Sequence, residues 1–461
     1  MSNAPHTVSL AQAIELGLEH HRAGRLLEAE KIYRQVLAAE PEHADALHLL
    51  GAVALQSGHY DAAIELARAA LQHRPSDPQV FNTLGEAYRW SGEIEQALAC
   101  YEEALRLDAR YAAALTNRGN AFQLLQRYDE ALASYNAALT LTPDLAEAHW
   151  NRSHLRLLMG DFKNGWKEYE WRFRLPAPHN ESRTFTQPRW KPGHPLRGKT
   201  ILLHAEQGLG DTLQFVRYAP AVAALGANVI LEVQPPLASL LSSVAGPLQV
   251  VAQGTPLPAF DLYFPLVSLP LAFDTRLNSI PAVTPYVAAN AASIEKWRQR
   301  LDTTPSPRIG IAWSGNPRHI NDRWRSTTLE TLLPLLATGA TIISLQQEVR
   351  PEDQVTLQQN GQIRHYGAAL RDFSDTAALL SQMDLVVTVD TVIAHLAGAM
   401  GKPAFIMLPF APDWRWLAGR ADSPWYPTAR LFRQARRADW NGVVAAVCDE
   451  VRQRIPNILR V

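Results

Sequence analysis

The sequence predicts a multi-domain chain: an all-α solenoid of helical repeats, then an α/β region of two doubly wound sheet units facing a cleft. Three observations carry that expectation. Small and aromatic residues recur every 34 residues through the first third. From Lys199 onward, short apolar β-branched runs alternate with helical stretches, the pattern of parallel sheets covered by helices. Third, Asp384–Pro403 (DLVVTVDTVIAHLAGAMGKP) hands a buried strand, Leu385–Val389, to a helix through Asp390 and Thr391. Ligands of open α/β sheets collect at such carboxyl ends, and free N–H groups at a helix start suit a phosphate. Asp390 is read either as a phosphate-side residue or as the cap of that helix.

The totals bound the rest. The chain has 461 residues and a formal charge of −1, enough length for two or three domains. Near-neutral charge argues against a nucleic-acid partner. Two cysteines, Cys100 and Cys448, cannot build a disulfide framework and read as core thiols of a reducing compartment. The N-terminus MSNAPHTVSLAQAIELGLEHH lacks a basic start and an apolar core, so no signal peptide is expected. No apolar run approaches the ~20 residues of a membrane span. A cytoplasmic protein is expected.

The period is explicit in the residues. Gly51, Gly85 and Gly119 share one slot with Ser153; Gly24, Gly58, Gly92 and Gly160 share another with Gln126. Ala29, Ala63, Ala97 and Ala131 repeat, as do Tyr33, Tyr101 and Tyr135, with Ala67 in the gap. Pro41, Pro75 and Pro143 close units, with Ala109 standing in once. Small residues suit close helix crossings, aromatics fill the space between units, and proline ends a helix. This resembles the tetratricopeptide repeat over roughly residues 9–174. Such an array either spaces domains or holds a protein segment in a concave groove. In the O-linked N-acetylglucosamine protein transferases, asparagines two places before the glycine slot grip a peptide backbone. Asn117 and Asn151 match that pattern and become acceptor-binding candidates; Leu49 and Thr83 do not match.

The array, residues 1–174, closes in GDFKNGWKEYEWRFR, whose Trp166, Tyr169, Trp171 and Phe173 call for a packed capping helix. Residues 175–198 carry five prolines and read as an extended connector in which Trp190 docks on a neighbour. Strands are then expected at 200–205, 228–233, 248–252 and 260–264, with helices at 212–225 and 236–244. A second set is expected at 308–312, 341–345, 363–366, 385–389, 404–407 and 429–432, with helices at 293–301 and from Trp440 to about Arg454. These give an acceptor-side unit at 199–290 and a nucleotide-sugar unit at 291–461, both Rossmann-like.

Gly208-Leu209-Gly210-Asp211 after the first strand, Trp313-Ser314-Gly315-Asn316-Pro317 after the first strand of the second unit, and the Asp390 segment occur in that order. Together they resemble the heptosyltransferase-like glycosyltransferase family 9, of the glycosyltransferase B architecture. Repeat arrays joined to such domains resemble bacterial flagellin glycosyltransferases.

The resemblance implies roles. Asp211 matches the family's candidate general base, with Glu206 as the spare; on the residues alone Asp211 is equally a helix cap. Ser314, Gly315 and Asn316 would face the donor diphosphate. Arg325 stands where the family has lysine and would stabilise the departing charge, whereas Arg323 reads as surface. Gln346, at a strand end, would meet base or ribose. Asp390, Thr391 and His395 match the diphosphate motif, with Val392 replacing the usual glycine; His395 is alternatively structural. Asp413-Trp414-Arg415-Trp416 either lines the sugar rim or packs an interface. No metal-ligand cluster and no paired-Asp signature stand out, so no cofactor is expected beyond a nucleotide-sugar donor.

The resulting expectation is a metal-independent transferase moving a sugar from a nucleotide donor to a protein hydroxyl. The alternatives are a lipid or saccharide acceptor, or a non-catalytic repeat adaptor.

Overall fold

The computed structural model of the chain describes residues 9–175, 183–244, 246 and 248–458. Residues 1–8, part of the stretch read for a leader, and connector residues 176–182 lie outside the described residues. The chain divides into two units, Met1–Leu155 and Arg156–Val461.

In the first unit the period becomes helical hairpins, beginning with Leu10–Arg22 and Leu26–Ala39. The turn inside each hairpin needs a left-handed residue. Gly24, Gly58 and Gly92 supply it at φ 72°, 79° and 101°, and Gln126 takes φ 59° in the slot without glycine. The second glycine row exists for a different reason. A Cβ on Gly85 or Gly119 would stand 2.5 Å from the ring of Tyr101 or Tyr135. Glycine and tyrosine are therefore one unit of packing. Where Ala67 replaces the tyrosine, Gly51 looks onto Leu66 instead. Ala29, Ala63, Ala97 and Ala131 are all fully buried at the helix crossings. Consecutive repeats are also joined by polar bonds: His48 Nε2 lies 2.9 Å from Thr83 Oγ1, and Asn117 Nδ2 donates to Asn82 Oδ1 at 3.0 Å.

The second unit starts before the sheets. The helix Phe162–Tyr169 and the 3-10 turn Glu170–Arg174, grouped above with the array, fall in this unit. The reason is aromatic packing. Trp166 meets Trp414 at 5.2 Å and Phe215 at 6.1 Å, and Phe162 stacks on Trp425 at 5.9 Å. Trp190 docks as expected: its N–H donates to Tyr263 O at 2.9 Å and its ring meets Phe264 at 5.2 Å.

Among the described residues ten strands follow: β1 Thr200–His204, β2 Asn228–Val233, β3 Leu248–Ala252, β4 Leu262–Pro265, β5 Arg308–Ala312, β6 Thr341–Ser344, β7 Arg364–His365, β8 Leu385–Val389, β9 Ala404–Leu408 and β10 Ala429–Arg433. They form a sheet ordered β3-β2-β1-β4 and a sheet ordered β10-β9-β8-β5-β6-β7, each with parallel pairing. β8 and β9 are buried at every residue, which explains their uninterrupted apolar sequence. The helix expected at 212–225 is instead three pieces: Leu209–Phe215, a 3-10 turn at Val216–Tyr218, and Ala219–Ala224. Pro220 has no N–H to continue the ladder back to Val216.

In each sheet the chain starts in the middle, winds to one side, then crosses to the other. The crossover leaves a switch point between β1 and β4, and another between β5 and β8.

Candidate functional site

The central strands of the larger sheet, β8, β5 and β6, end side by side. Their carboxyl ends deliver Asp390, Ser314 and Gln346, so these predicted residues stand at adjacent strand ends because the topology makes their strands neighbours. Gln346 donates from Nε2 to Ser314 Oγ at 3.2 Å and accepts the Ser314 N–H at 3.4 Å. The Gly315 N–H donates to Ser326 Oγ at 3.0 Å. Asn316 shapes the loop by accepting the Arg318 N–H at 3.0 Å.

Gly315 has a guanidinium against it. A Cβ there would stand 2.9 Å from an amino nitrogen of Arg325, so the guanidinium lies directly against this loop. A residue the sequence reading missed completes the cluster. Arg350 donates to Gly315 O at 3.0 Å and to Asp322 Oδ2 at 2.5 Å. Asp322 in turn accepts the Ser326 hydroxyl at 2.7 Å. Arg350 stands just before the helix Pro351–Gln359; its only sequence signal was its place shortly after a strand end. Arg323 is exposed, as expected of a surface charge.

At β8 the helix Val392–Ala399 is capped by Thr391, whose Oγ1 accepts the Ile393 N–H at 3.3 Å. The cap is therefore not Asp390. Asp390 is buried, and its carboxyl is pushed up to about 6 by burial first and then by the Asp413 charge, against the pull of Arg325 and Arg415. His395 is buried too. Its Nδ1 lies 2.8 Å from Tyr426 Oη, and its ring stacks on Trp416 at 5.4 Å. Burial, with Arg415 next, pushes its pKa down to about 3, so the ring is neutral. It offers a phosphate no positive charge, and its ring packs against Trp416, Tyr426 and Gly210.

On the smaller sheet, Asp211 occupies the first turn of the helix Leu209–Phe215. Its Oδ2 accepts the Gly208 N–H at 2.9 Å, so it is a capping residue, and its Oδ1 pairs with Arg415. The capping reading of Asp211 is thus seen directly. Glu206, the spare base, is held by Arg172 in a two-pronged pair, at 2.6 Å to Oε1 and 3.4 Å to Oε2. Arg172 also donates to Ser268, just past β4, at 2.6 Å. The chain itself fills the switch point of the smaller sheet. Trp414 and Trp416 are 3% and 0% exposed, so they pack the interior and present no open face to a sugar.

In the repeat unit, Asn117 is largely buried and already donates to Asn82, while Asn151 is half-buried. The bonded pair His48–Thr83 lies on the same rows and went unread, because neither residue fits an asparagine pattern.

Profiles of the tetratricopeptide repeat match residues 14–78, 85–126 and 124–160. The profile of glycosyltransferase family 9 (heptosyltransferase) matches residues 368–407, which include Asp390, Thr391 and His395. The chain is thus similar to tetratricopeptide repeats within residues 14–160 and to glycosyltransferase family 9 over residues 368–407. Protein FlbA of Caulobacter vibrioides is 28% identical over 322 residues, which are 64% of this chain and 53% of that protein. The chain therefore spans about half the length of the curated relative it matches. Among solved structures, a thermophilic TPR protein of Thermus thermophilus is 28% identical and covers 37% of this chain and 92% of its own, with a TM-score of 0.34. Pseudomonas aeruginosa PilF is 21% identical and covers 35% and 74%, with a TM-score of 0.33. Among the described residues, no helix is long and apolar enough to cross a membrane.

Proposed function

We propose that this chain is a metal-independent, GT-B-type glycosyltransferase that moves a sugar from a nucleotide-sugar donor to a protein hydroxyl in the cytoplasm. The observation that carries the reading is the convergence of Ser314, Gln346 and Asp390–Thr391 on adjacent strand ends at a switch point, with Arg325 and Arg350 beside the Gly315 loop. The start of the helix capped by Thr391 suits a diphosphate. Gln346 would meet the nucleoside.

In the reaction the acceptor hydroxyl oxygen bonds to the anomeric carbon and its proton passes to Asp211. The bond from that carbon to the diphosphate oxygen breaks, and its electron pair leaves with the nucleoside diphosphate. Charge grows on the leaving oxygen, so the fixed guanidinium of Arg325 lowers the barrier. No cofactor beyond the donor is required. Asn117 and Asn151, in the repeats, would hold the acceptor by its main chain, because an amide both donates and accepts without reading side chains.

The test is intact mass of candidate acceptor proteins incubated with the chain and a panel of nucleotide sugars. Added sugar mass is expected, and Asp211→Asn should abolish it while circular dichroism and melting stay those of a folded protein. One observation favours the adaptor reading: both oxygens of Asp211 are engaged, by Gly208 and Arg415. Failure of any nucleotide sugar or nucleoside diphosphate to raise the melting temperature would decide for the adaptor.

A further inference from the structure

Arg415 entered the sequence reading only as a charge on a rim. In the structure it lies between two carboxylates and is 12% exposed. One amino group pairs with Asp211 Oδ1; the other donates to Asp413 Oδ1 at 2.8 Å. Asp211 follows β1 and Asp413 follows β9, so this guanidinium ties the smaller sheet to the larger one. The same tie occupies the base proposed above. Both Asp211 oxygens are thereby taken, Oδ1 by the guanidinium and Oδ2 by the Gly208 N–H, so neither is open to an acceptor hydroxyl.

Arg415 also stands beside the junction expected to take the diphosphate. Its neighbour Trp416 stacks on His395, one turn into the helix that Thr391 caps. Gly210, one residue before Asp211, rests directly against that histidine ring. The two loops and the guanidinium therefore form one contact set.

We propose that Arg415 is a clasp that holds Asp211 while the diphosphate position is empty and turns to the diphosphate when a donor binds, releasing Asp211 as the base. The proposal rests on the transferase reading above. Asp413 supplies the pivot: it keeps one amino group while the other exchanges a carboxylate for a phosphate oxygen. The exchange keeps Arg415 paired throughout, while Asp211, 15% exposed, gives up the guanidinium and keeps the Gly208 N–H. An arginine fork matches phosphate oxygens as well as it matches a carboxylate. Donor binding would then precede acceptor activation, because the base is freed only once the leaving group is in place. Arg415 is in this sense a positioning residue, acting on the reaction through Asp211.

The consequence is competition. Asp211 and the diphosphate draw on the same guanidinium, so each weakens the other's hold, and by linkage the effect is reciprocal. Neutralising Asp211 should tighten binding of a ligand it never touches.

The experiment is calorimetric titration of the full chain with the nucleoside diphosphate that most raises its melting temperature. Wild type, Asp211→Asn, Arg415→Lys, Arg415→Gln and the Asp211→Asn/Arg415→Gln double variant are compared. Asp211→Asn is expected to bind roughly fivefold tighter than wild type. Arg415→Gln should bind roughly tenfold weaker, Arg415→Lys should retain part of the affinity, and the double variant should gain nothing over Arg415→Gln. A purely structural Arg415 predicts no tightening in Asp211→Asn. Unchanged or weaker binding by Asp211→Asn, or the same gain in both backgrounds, overturns the clasp and leaves the transferase reading standing. No nucleotide binding by the wild type overturns that reading and the clasp with it. If Arg415→Gln does not fold, the comparison of Asp211→Asn with wild type still decides.

Discussion

Gly210 and His395 meet so closely that a Cβ on Gly210 would stand 2.6 Å from the ring Cδ2 of His395. The ring has little room to retreat. Its Nδ1 is 2.8 Å from Tyr426 Oη and its face stacks on Trp416 at 5.4 Å. Here a helix of the smaller sheet and a helix of the larger one touch through a glycine. Gly210→Ala should therefore destabilise the protein by about 1–3 kcal/mol through overpacking. Calorimetric melting is the check; an unchanged midpoint would show that the ring gives way.

Arg172 and Glu206 make a second prediction. Their side chains are 5% and 3% exposed, and the pair is two-pronged. Replacing Arg172 by leucine leaves a buried carboxylate without its partner and should cost roughly 3–5 kcal/mol. The Arg172→Leu/Glu206→Leu double variant should recover much of that loss, because no orphaned charge remains. Denaturant unfolding of the two variants measures the difference. Equal destabilisation would mean that Glu170, Arg189 and Ser268, not Glu206, carry the contact.

How much of this was readable in the sequence depended on distance along the chain. The repeats were plain because the Gly85–Tyr101 and Gly119–Tyr135 contacts recur with a fixed period. The strands were plain because β8 and β9 are buried on both faces and are apolar throughout. Ser314 and Gln346 could be paired by reasoning alone, since parallel neighbours bring their carboxyl ends together. The identity of the cap was harder: Asp390 and Thr391 both cap well, and only the backbone shows that Thr391 does so. The Arg415–Asp211 and Arg172–Glu206 pairs left no signal. Their partners come from separate elements, and no local spacing predicts which buried arginine meets which carboxylate. Trp166 and Tyr169 were read as packing, but nothing in their spacing named Trp414 and Trp425 as their partners.

His204 gives a pH-dependent prediction. It is 2% exposed, and Phe185 and Tyr263 lie against it at 5.5 and 5.9 Å. Burial, with Arg183 next, pushes its pKa down from 6.5 to about 3. The folded state thus binds this proton less readily than the unfolded chain. Its contribution is present above pH 6.5 and is lost as pH falls toward 3. Phenylalanine fits the aromatic surroundings and carries no such liability. His204→Phe should be more stable than wild type, with the advantage growing by about 2 kcal/mol between pH 7.5 and pH 5. Urea unfolding at the two pH values tests it, and a pH-independent difference would sink the argument.

Asp390 has the opposite sign. Its folded pKa, raised from 3.8 to about 6 by burial and then by Asp413, means that the fold prefers the protonated acid. The stabilising contribution is complete below 3.8 and is lost as pH rises through 6. Above that range the protein carries a buried carboxylate close to a second one, and the favourable charges of Arg325 and Arg415 only partly offset it. Asparagine reproduces the protonated form in shape and charge. Asp390→Asn should therefore melt near wild type at pH 4.5 and a few degrees higher at pH 7.5, a gain on the order of 1–3 kcal/mol. Melting curves from pH 4.5 to 8 read this directly. A constant offset across the range would trace the effect to the changed hydrogen bonds of the amide and not to ionisation of the acid.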